Sequence, residues 1–262
     1  MFLHACLIVL VLSGFANAFA FDPIPITFSH TMNKIIFDGK WSFEYEWKAS
    51  SLNTYLYDDG TEIILRSAHQ DNFVYLFLDA ISDPYLDKMS DYAVVCFDTK
   101  NDKTTIPNSN DYCFTEHLEE KNSFTYRGDD TSPQNNYFKK VSNPVGFMGI
   151  SAVSDHNDRY TPMPHPSYEF KIPTATIGRE SVYGFYFLVY DGHTKKTYSY
   201  PENIKLENST IAPSPSVWGE IYSPDKSLPE FDFPVLALFL SLVLAVYIRQ
   251  VKMRNDKITR SN

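Results

Sequence analysis

Cysteine is scarce in this 262-residue chain, which has three. No Cys-x-x-Cys occurs, so a dithiol redox motif is excluded, and there is no Cys-x-x-Cys-His haem attachment. Also missing are a Gly-x-Ser-x-Gly elbow, a His-Glu-x-x-His helix and a glycine-rich phosphate loop, so no familiar catalytic signature supports an enzyme. A non-enzymatic role is the expectation. Glycine is low at 10 residues against 16 prolines. Outside the two ends no stretch repeats its apolar residues at the helical period. Charged side chains are absent from residues 1–18.

That uncharged start has a definite pattern. Residues 5–12 are a short apolar run, Ser13 and Gly14 break it, and Ala16-Asn17-Ala18 supplies a small-x-small cleavage site. Residues 1–18 therefore read as a signal peptide. A second uncharged run, Phe233 to Ile248, extends to 231–248 if Asp232 lies among the headgroups, and reads as a single transmembrane helix. Arg249, Lys252, Arg254, Lys257 and Arg260 follow at once. Basic residues beside a span mark its cytoplasmic side, so 249–262 is a cytoplasmic tail and the body lies outside the cell. Between the span and the body, residues 201–230 contain Pro201, Pro213, Pro215, Pro224 and Pro229 and read as a Pro-rich linker. Asn208-Ser209-Thr210 in it is an N-glycosylation acceptor pattern, and Trp218, near the membrane, reads as an interfacial or docking residue.

Net charge is −9. The tail carries +4, so the part between the leader and the tail carries −13. Such a body repels phosphate backbones, which argues against a nucleic-acid partner.

The body, residues 19–200, is rich in Tyr and Phe, which favour half-buried pleated surfaces. Trp41 to Lys48 alternates apolar and polar, and period two predicts a strand with Trp41, Phe43, Tyr45 and Trp47 on one buried face. Phe73–Leu78 and Phe185–Tyr190 are continuous apolar runs suited to central strands. Shorter strands are expected at 63–66, 92–98, 123–127, 145–153, 168–172 and 196–200. Turn residues part them at Asp58-Asp59-Gly60, Asp83-Pro84, Gly128-Asp129-Asp130 and Asp191-Gly192. The fold class expected is all-β, an antiparallel β-sandwich of jelly-roll or immunoglobulin-like type.

Cys6 leaves with the leader, so Cys96 and Cys113 remain, each in a strand-like segment on either side of a polar loop. Outside the cell they are expected to form a disulfide, the alternative being two separate buried thiols. Asp79, Asp83, Asp87 and Asp91 recur along one loop, with Asp98 after it. Hard carboxylate oxygens suit calcium, and Asp83, Asp87, Asp91 and Asp98 are the candidate ligands, although no EF-hand pattern is present. The alternative is a solvated acidic loop.

Asp38-Gly39-x-Trp41-Ser42 with Glu46-Trp47, then Ile64–His69, Val74–Leu76, Ser82-Asp83 and Asp91–Asp98, resembles the carbohydrate-binding-like β-sandwich superfamily. That group includes family-nine carbohydrate-binding modules, DOMON domains and the haem subunit of ethylbenzene dehydrogenase. The resemblance spans roughly residues 35–192 and implies the fold, but leaves the ligand open. Carbohydrate-binding relatives stack sugars on exposed Trp, whereas Trp41 and Trp47 here read as core. Haem-binding relatives use axial Met with Lys or His; the corresponding candidates for haem or copper are His156, Met163 and His165 in a Pro-rich loop. Pro229-Glu230-Phe231 before the span resembles the sorting signal of archaeal surface proteins, with Asp232 where the usual form has Gly. It implies an archaeosortase as a partner and a lipid-anchored product.

The combined expectation is a membrane-anchored surface protein that binds a glycan or an envelope component such as a surface-layer protein. The alternatives are an extracytoplasmic haem or copper module and a structural envelope component.

Overall fold

In the computed structural model, which describes residues 22–119, 122–131, 137–204, 206 and 211–223, nearly all regular structure is strand. The strands are β1 (Ile24–Pro25), β2 (Thr27–Phe28), β3 (Ser51–Leu56), β4 (Glu62–Gln70), β5 (Phe73–Asp79), β6 (Tyr92–Asp98) and β7 (Asp111–His117). They continue as β8 (Phe124–Gly128), β9 (Phe138–Val141), β10 (Met148–Val153), β11 (Pro166–Pro173), β12 (Val182–Asp191), β13 (Lys196–Tyr200) and β14 (Gly219–Tyr222). A four-residue helix α1 (Thr174–Ile177) links β11 to β12.

Two sheets form. One runs β1-β14-β12-β6-β7-β8-β9, with β13 also paired to β12; the other runs β10-β11-β5-β4-β2, with β3 also paired to β4. Pairing is antiparallel except where the two-residue strands β1 and β2 lie parallel to β14 and β4. The expected all-β, two-sheet sandwich is what the chain adopts. The expected signal peptide 1–18, sorting signal Pro229-Glu230-Phe231, span 231–248, tail 249–262 and glycosylation acceptor Asn208 all lie outside the described residues.

The continuous apolar runs are explained by burial on both faces. On β6, Ala93, Val95 and Phe97 face the core between the sheets, while Val94 and Cys96 belong to a cluster on the outer face. On β12, Phe185, Phe187 and Val189 face inward, and Tyr186 and Leu188 outward. On β5, Val74, Leu76 and Leu78 face inward, and Tyr75 and Phe77 face a third cluster with Trp41 and Trp47. A strand covered on both sides loses its polar alternation, as happens here. Each such side chain contributes about 1.5–3 kcal/mol relative to exposure.

Two expectations fail. Trp41 to Lys48 is not a strand but a run of turns, with Glu46 N–H to Phe43 O at 3.1 Å, Lys48 N–H to Tyr45 O at 3.3 Å and Ser50 N–H to Trp47 O at 3.2 Å. Trp41 and Trp47 are fully buried, but Tyr45 is 64% exposed, so the alternation does not share one face. The cause is the buried Glu46, whose carboxylate accepts the N–H groups of Ile36 (2.8 Å) and Ser42 (2.6 Å) and curls the chain around itself. The second failure is the linker. Residues 211–223 are not a spacer: β14 pairs with β12, and Trp218 is buried against Tyr186 and Phe138 rather than lying at a membrane surface.

Candidate functional site

Three turns meet at one end of the sandwich. The β3–β4 turn brings Asp59, the β5–β6 loop brings Asp83 and Tyr85, and the β12–β13 turn brings Asp191 and Thr194; Lys196 and Tyr198 follow on β13. These turns belong to different sheets, and stacking of the sheets places them around a cleft of about 260 Å³. Tyr85, 47% exposed, lines one side, and its ring is stacked on His193 with centroids 3.7 Å apart and planes 5° from parallel. The other side is charged. Lys196 Nζ donates to Asp59 Oδ2 at 2.6 Å, and Tyr198 OH donates to the same oxygen at 3.1 Å. The Lys196 ammonium holds the Asp59 carboxyl below the usual carboxylate range.

Asp83 and Asp191, which line the cleft, cluster with Asp91; all three are buried, with one oxygen from each within 4.8 Å of the others. Each is held by the backbone. Asp83 Oδ1 accepts Tyr85 N–H at 2.9 Å. Asp91 accepts Gly192 N–H and Asp87 N–H, both at 2.8 Å. Asp191 Oδ1 accepts His193 N–H at 2.8 Å and Thr194 N–H at 3.0 Å, and its Oδ2 accepts the Thr194 hydroxyl at 2.5 Å. These bonds shape the loops that form the cleft. Burial pushes Asp83 up to about 7 and also raises Asp91. Near neutral pH the Asp83 carboxyl is therefore able to donate as well as accept a hydrogen bond.

The calcium set expected from sequence is thus partly regrouped. Asp83 and Asp91 come together and Asp87 adjoins them, its N–H bound to Asp91. Asp98 does not join them; Asp191 takes its place. Asp98 stands at the other end of β6 from Asp91, about 20 Å away along a strand of this length, and accepts the N–H groups of Lys100 (3.1 Å) and Lys103 (2.9 Å). The all-oxygen donor set of Asp83, Asp91 and Asp191 fits a hard cation such as calcium.

The haem or copper set does not assemble. His156 has a side chain 84% exposed and Met163 is 64% exposed, whereas His165 is buried at 1%. His165 contacts the carbonyl of Met163, at 2.7 Å, not its sulfur. Cys96 and Cys113 do form the expected disulfide, directly across β6 and β7.

Sequence reading did not single out Asp59, Tyr85, Lys196 and Tyr198. The signal was present in part, since Asp58-Asp59-Gly60, Asp83-Pro84 and Asp191-Gly192 are turn sequences. Their convergence depends on strand order, which the sequence does not display.

Fold and cleft together define an all-β sandwich with a cleft at one loop end. No protein-family model matches the chain, and no curated protein does. Among solved structures it is similar to a family 9 carbohydrate binding module from Caldicellulosiruptor kristjanssonii in complex with cellotriose, with a TM-score of 0.46 and 17% identity over 77% of this chain and 93% of that one. It is similar also to a family 9 module from the same organism in complex with glucose, with a TM-score of 0.47 and 18% identity over 77% of this chain and 95% of that one.

Proposed function

We propose that this chain is a cell-surface glycan-binding module, held on the outer membrane face by its C-terminal hydrophobic segment. The observation that carries the binding role is the cleft where the three turns meet. A saccharide ring offers one apolar C–H face and a rim of hydroxyls. Tyr85, braced by His193, provides an aromatic surface for the face, and Asp59, Asp83, Thr194 and Lys196 provide donors and acceptors for the rim. Small-ligand sites have this make-up, a concave surface with few fixed polar groups. Anchoring is supported by the uncharged runs at 5–12 and 233–248 and by the basic tail.

The test is a glycan array probed with the full chain in detergent, followed by calorimetry on the best binder. Tyr85→Ala should weaken binding by up to about tenfold, the worth of one aromatic contact. Equal binding by wild type and Tyr85→Ala, or no saccharide retained at all, would remove the reading. Fractionation of the expressed chain checks the anchor: it should pellet with membranes after cleavage behind Ala18.

A further inference from the structure

Away from the cleft, Asp79, Asp158 and His165 form a second cluster, in which one ligand atom from each lies within 4.8 Å of the others. Asp79 ends β5, while Asp158 and His165 belong to the loop between β10 and β11. All three side chains are 1% exposed or less. His165 Nε2 lies 2.7 Å from Asp79 Oδ1 and 4.0 Å from Asp158 Oδ2. Asp79 Oδ2 and Asp158 Oδ2 are both buried and without a hydrogen-bond partner. Two such carboxylate oxygens beside one imidazole, sealed from water, are costly unless a shared proton or a cation sits among them.

We propose that Asp79, Asp158 and His165 form a binding site for a zinc-class divalent metal ion. Three features favour it. First, the other atoms of the ligands are already fixed. His165 Nδ1 lies 2.7 Å from Met163 O and 2.8 Å from the Ser154 hydroxyl; in the tautomer that donates from Nδ1 to this carbonyl, Nε2 keeps its lone pair for the ion. A backbone carbonyl behind a metal-bound histidine orients it in this way. Asp158 Oδ1 accepts Tyr160 N–H (2.8 Å) and Thr161 N–H (3.0 Å), which leaves Oδ2 for the ion. Second, the charge balances: two carboxylates and a neutral imidazole cancel a dication, so a buried neutral centre results. Third, the donor types select the metal. Imidazole with carboxylates suits zinc and its first-row neighbours, whereas calcium takes oxygen alone and copper(I) prefers sulfur. Bonds of about 2.0–2.2 Å keep ligands roughly 3–4 Å apart, which small rotations of the two carboxylates provide. The ion ties the end of β5 to the loop Ser154–His165, whose two ends are joined by Ser154 N–H to His165 O at 2.8 Å. Its role is structural, and it stands independently of the glycan reading.

The test uses the full chain in detergent, stripped with a chelator and titrated with Zn²⁺ against a chromophoric competitor. One equivalent should bind, and Asp158→Asn should weaken it at least tenfold; this variant keeps its Oδ1 bonds to Tyr160 and Thr161 and so keeps the loop. Co²⁺ gives a readout without mutation, since a low-symmetry nitrogen–oxygen site yields strong visible absorption and loosely bound aqueous ion does not. Hydrogen exchange in residues 154–165 should slow on metal addition. Equal zinc affinity in wild type and Asp158→Asn, or a cobalt spectrum unchanged from the aqueous ion, would overturn the assignment and leave the trio as a proton-sharing core cluster.

Discussion

The outer faces of the two sheets are both covered, but by opposite ends of the body and by opposite chemistry. Residues 32–47 lie on the sheet containing β4 and β5, where Trp41 and Trp47 close over Ala68, Tyr75 and Phe77. Residue 206 and residues 211–218 lie on the sheet containing β6 and β12, where Trp218 and Ala212 close over Cys96, Cys113, Tyr186 and Leu188. The first cover is clipped by acids. Glu169 of β11, fully buried, accepts Gly39 N–H at 2.8 Å and Trp47 Nε1–H at 3.0 Å, and Glu46 curls the turn from within. The second is clipped by a base: Lys103 Nζ donates to Trp218 O at 2.6 Å and Gly219 O at 2.5 Å. A sheet with both faces apolar needs such covers, and the choice of clip decides how each responds to mutation, reduction and pH.

The largest difference should come from the tryptophans. Trp47 is completely buried, its ring stacks on Phe77 at 5.4 Å, and its indole N–H satisfies Glu169. Trp47→Ala removes the packing and leaves the buried carboxylate one donor short, at a cost of about 3–5 kcal/mol in urea unfolding. The Trp218 indole N–H donates to the local Pro213 carbonyl, at 3.1 Å, and its ring neighbours sit farther off, at 6.2 and 6.3 Å. Trp218→Ala should cost less by about 1 kcal/mol. Equal losses would mean that the two covers are equivalent and that the Glu169 clip adds nothing.

Next is the disulfide, which belongs to one side only. Cys96 and Cys113 are cross-strand partners lying beneath the second cover, with a sequence separation of 17. Replacing both by Ala should cost about 3 kcal/mol. It should also speed hydrogen exchange in residues 211–218 while leaving 32–47 unchanged. Loosening of both covers alike would show that the bridge acts on the unfolded chain alone.

Both covers were hard to read from sequence, and for different reasons. The core strands were legible because burial on two faces writes itself as an unbroken apolar run: β5 and β12 contain the runs expected, and β6 and β13 keep their expected bounds. Trp41 to Lys48 misled because a series of i to i+3 turns can also place alternate residues apart, and only the burial of Glu46 separates the two cases. Gly39 carried real information. Its φ of +88° and a backbone approach that would set a Cβ 2.3 Å from Ser151 explain the Asp38-Gly39-x-Trp41 pattern as a packing device rather than a ligand site. The segment 211–223 looked like a spacer because Pro213 and Pro215 hide its one short strand; its place was fixed by β12, which is distant in sequence. The cleft was legible as three separate turns and illegible as a site, since their meeting is a property of sheet stacking. Asp191 and Asp98 were indistinguishable as acids at strand ends until the ends themselves were sorted.

The smallest effect expected is also the one that separates the clips by sign. Burial raises Glu169 well above the ordinary 4.5 and raises Glu46 too. The folded state then holds a proton that the unfolded state has released, so this part of the stability is present below about pH 4.5 and fades as pH rises through the raised value. For Lys103 burial lowers the value from 10.5, so the folded state releases its proton first and stability rises with pH as that window is crossed. The acid clip weakens upward from pH 4.5, and the basic clip tightens toward pH 10.5. Asp83 and Asp111, both pushed up to about 7 by burial, add a falling background of the same sign as Glu169, so single curves are not diagnostic. The difference between wild type and Glu169→Gln is. Gln retains one acceptor, so the variant should lose about 1 kcal/mol at pH 4.5. The gap should then shrink as the wild type pays for burying charge, by no more than about 1.4 kcal/mol per pH unit. Urea midpoints at half-unit steps from pH 4 to 8 give the comparison, and a gap that stays constant across that range would show that burial does not raise Glu169 at all.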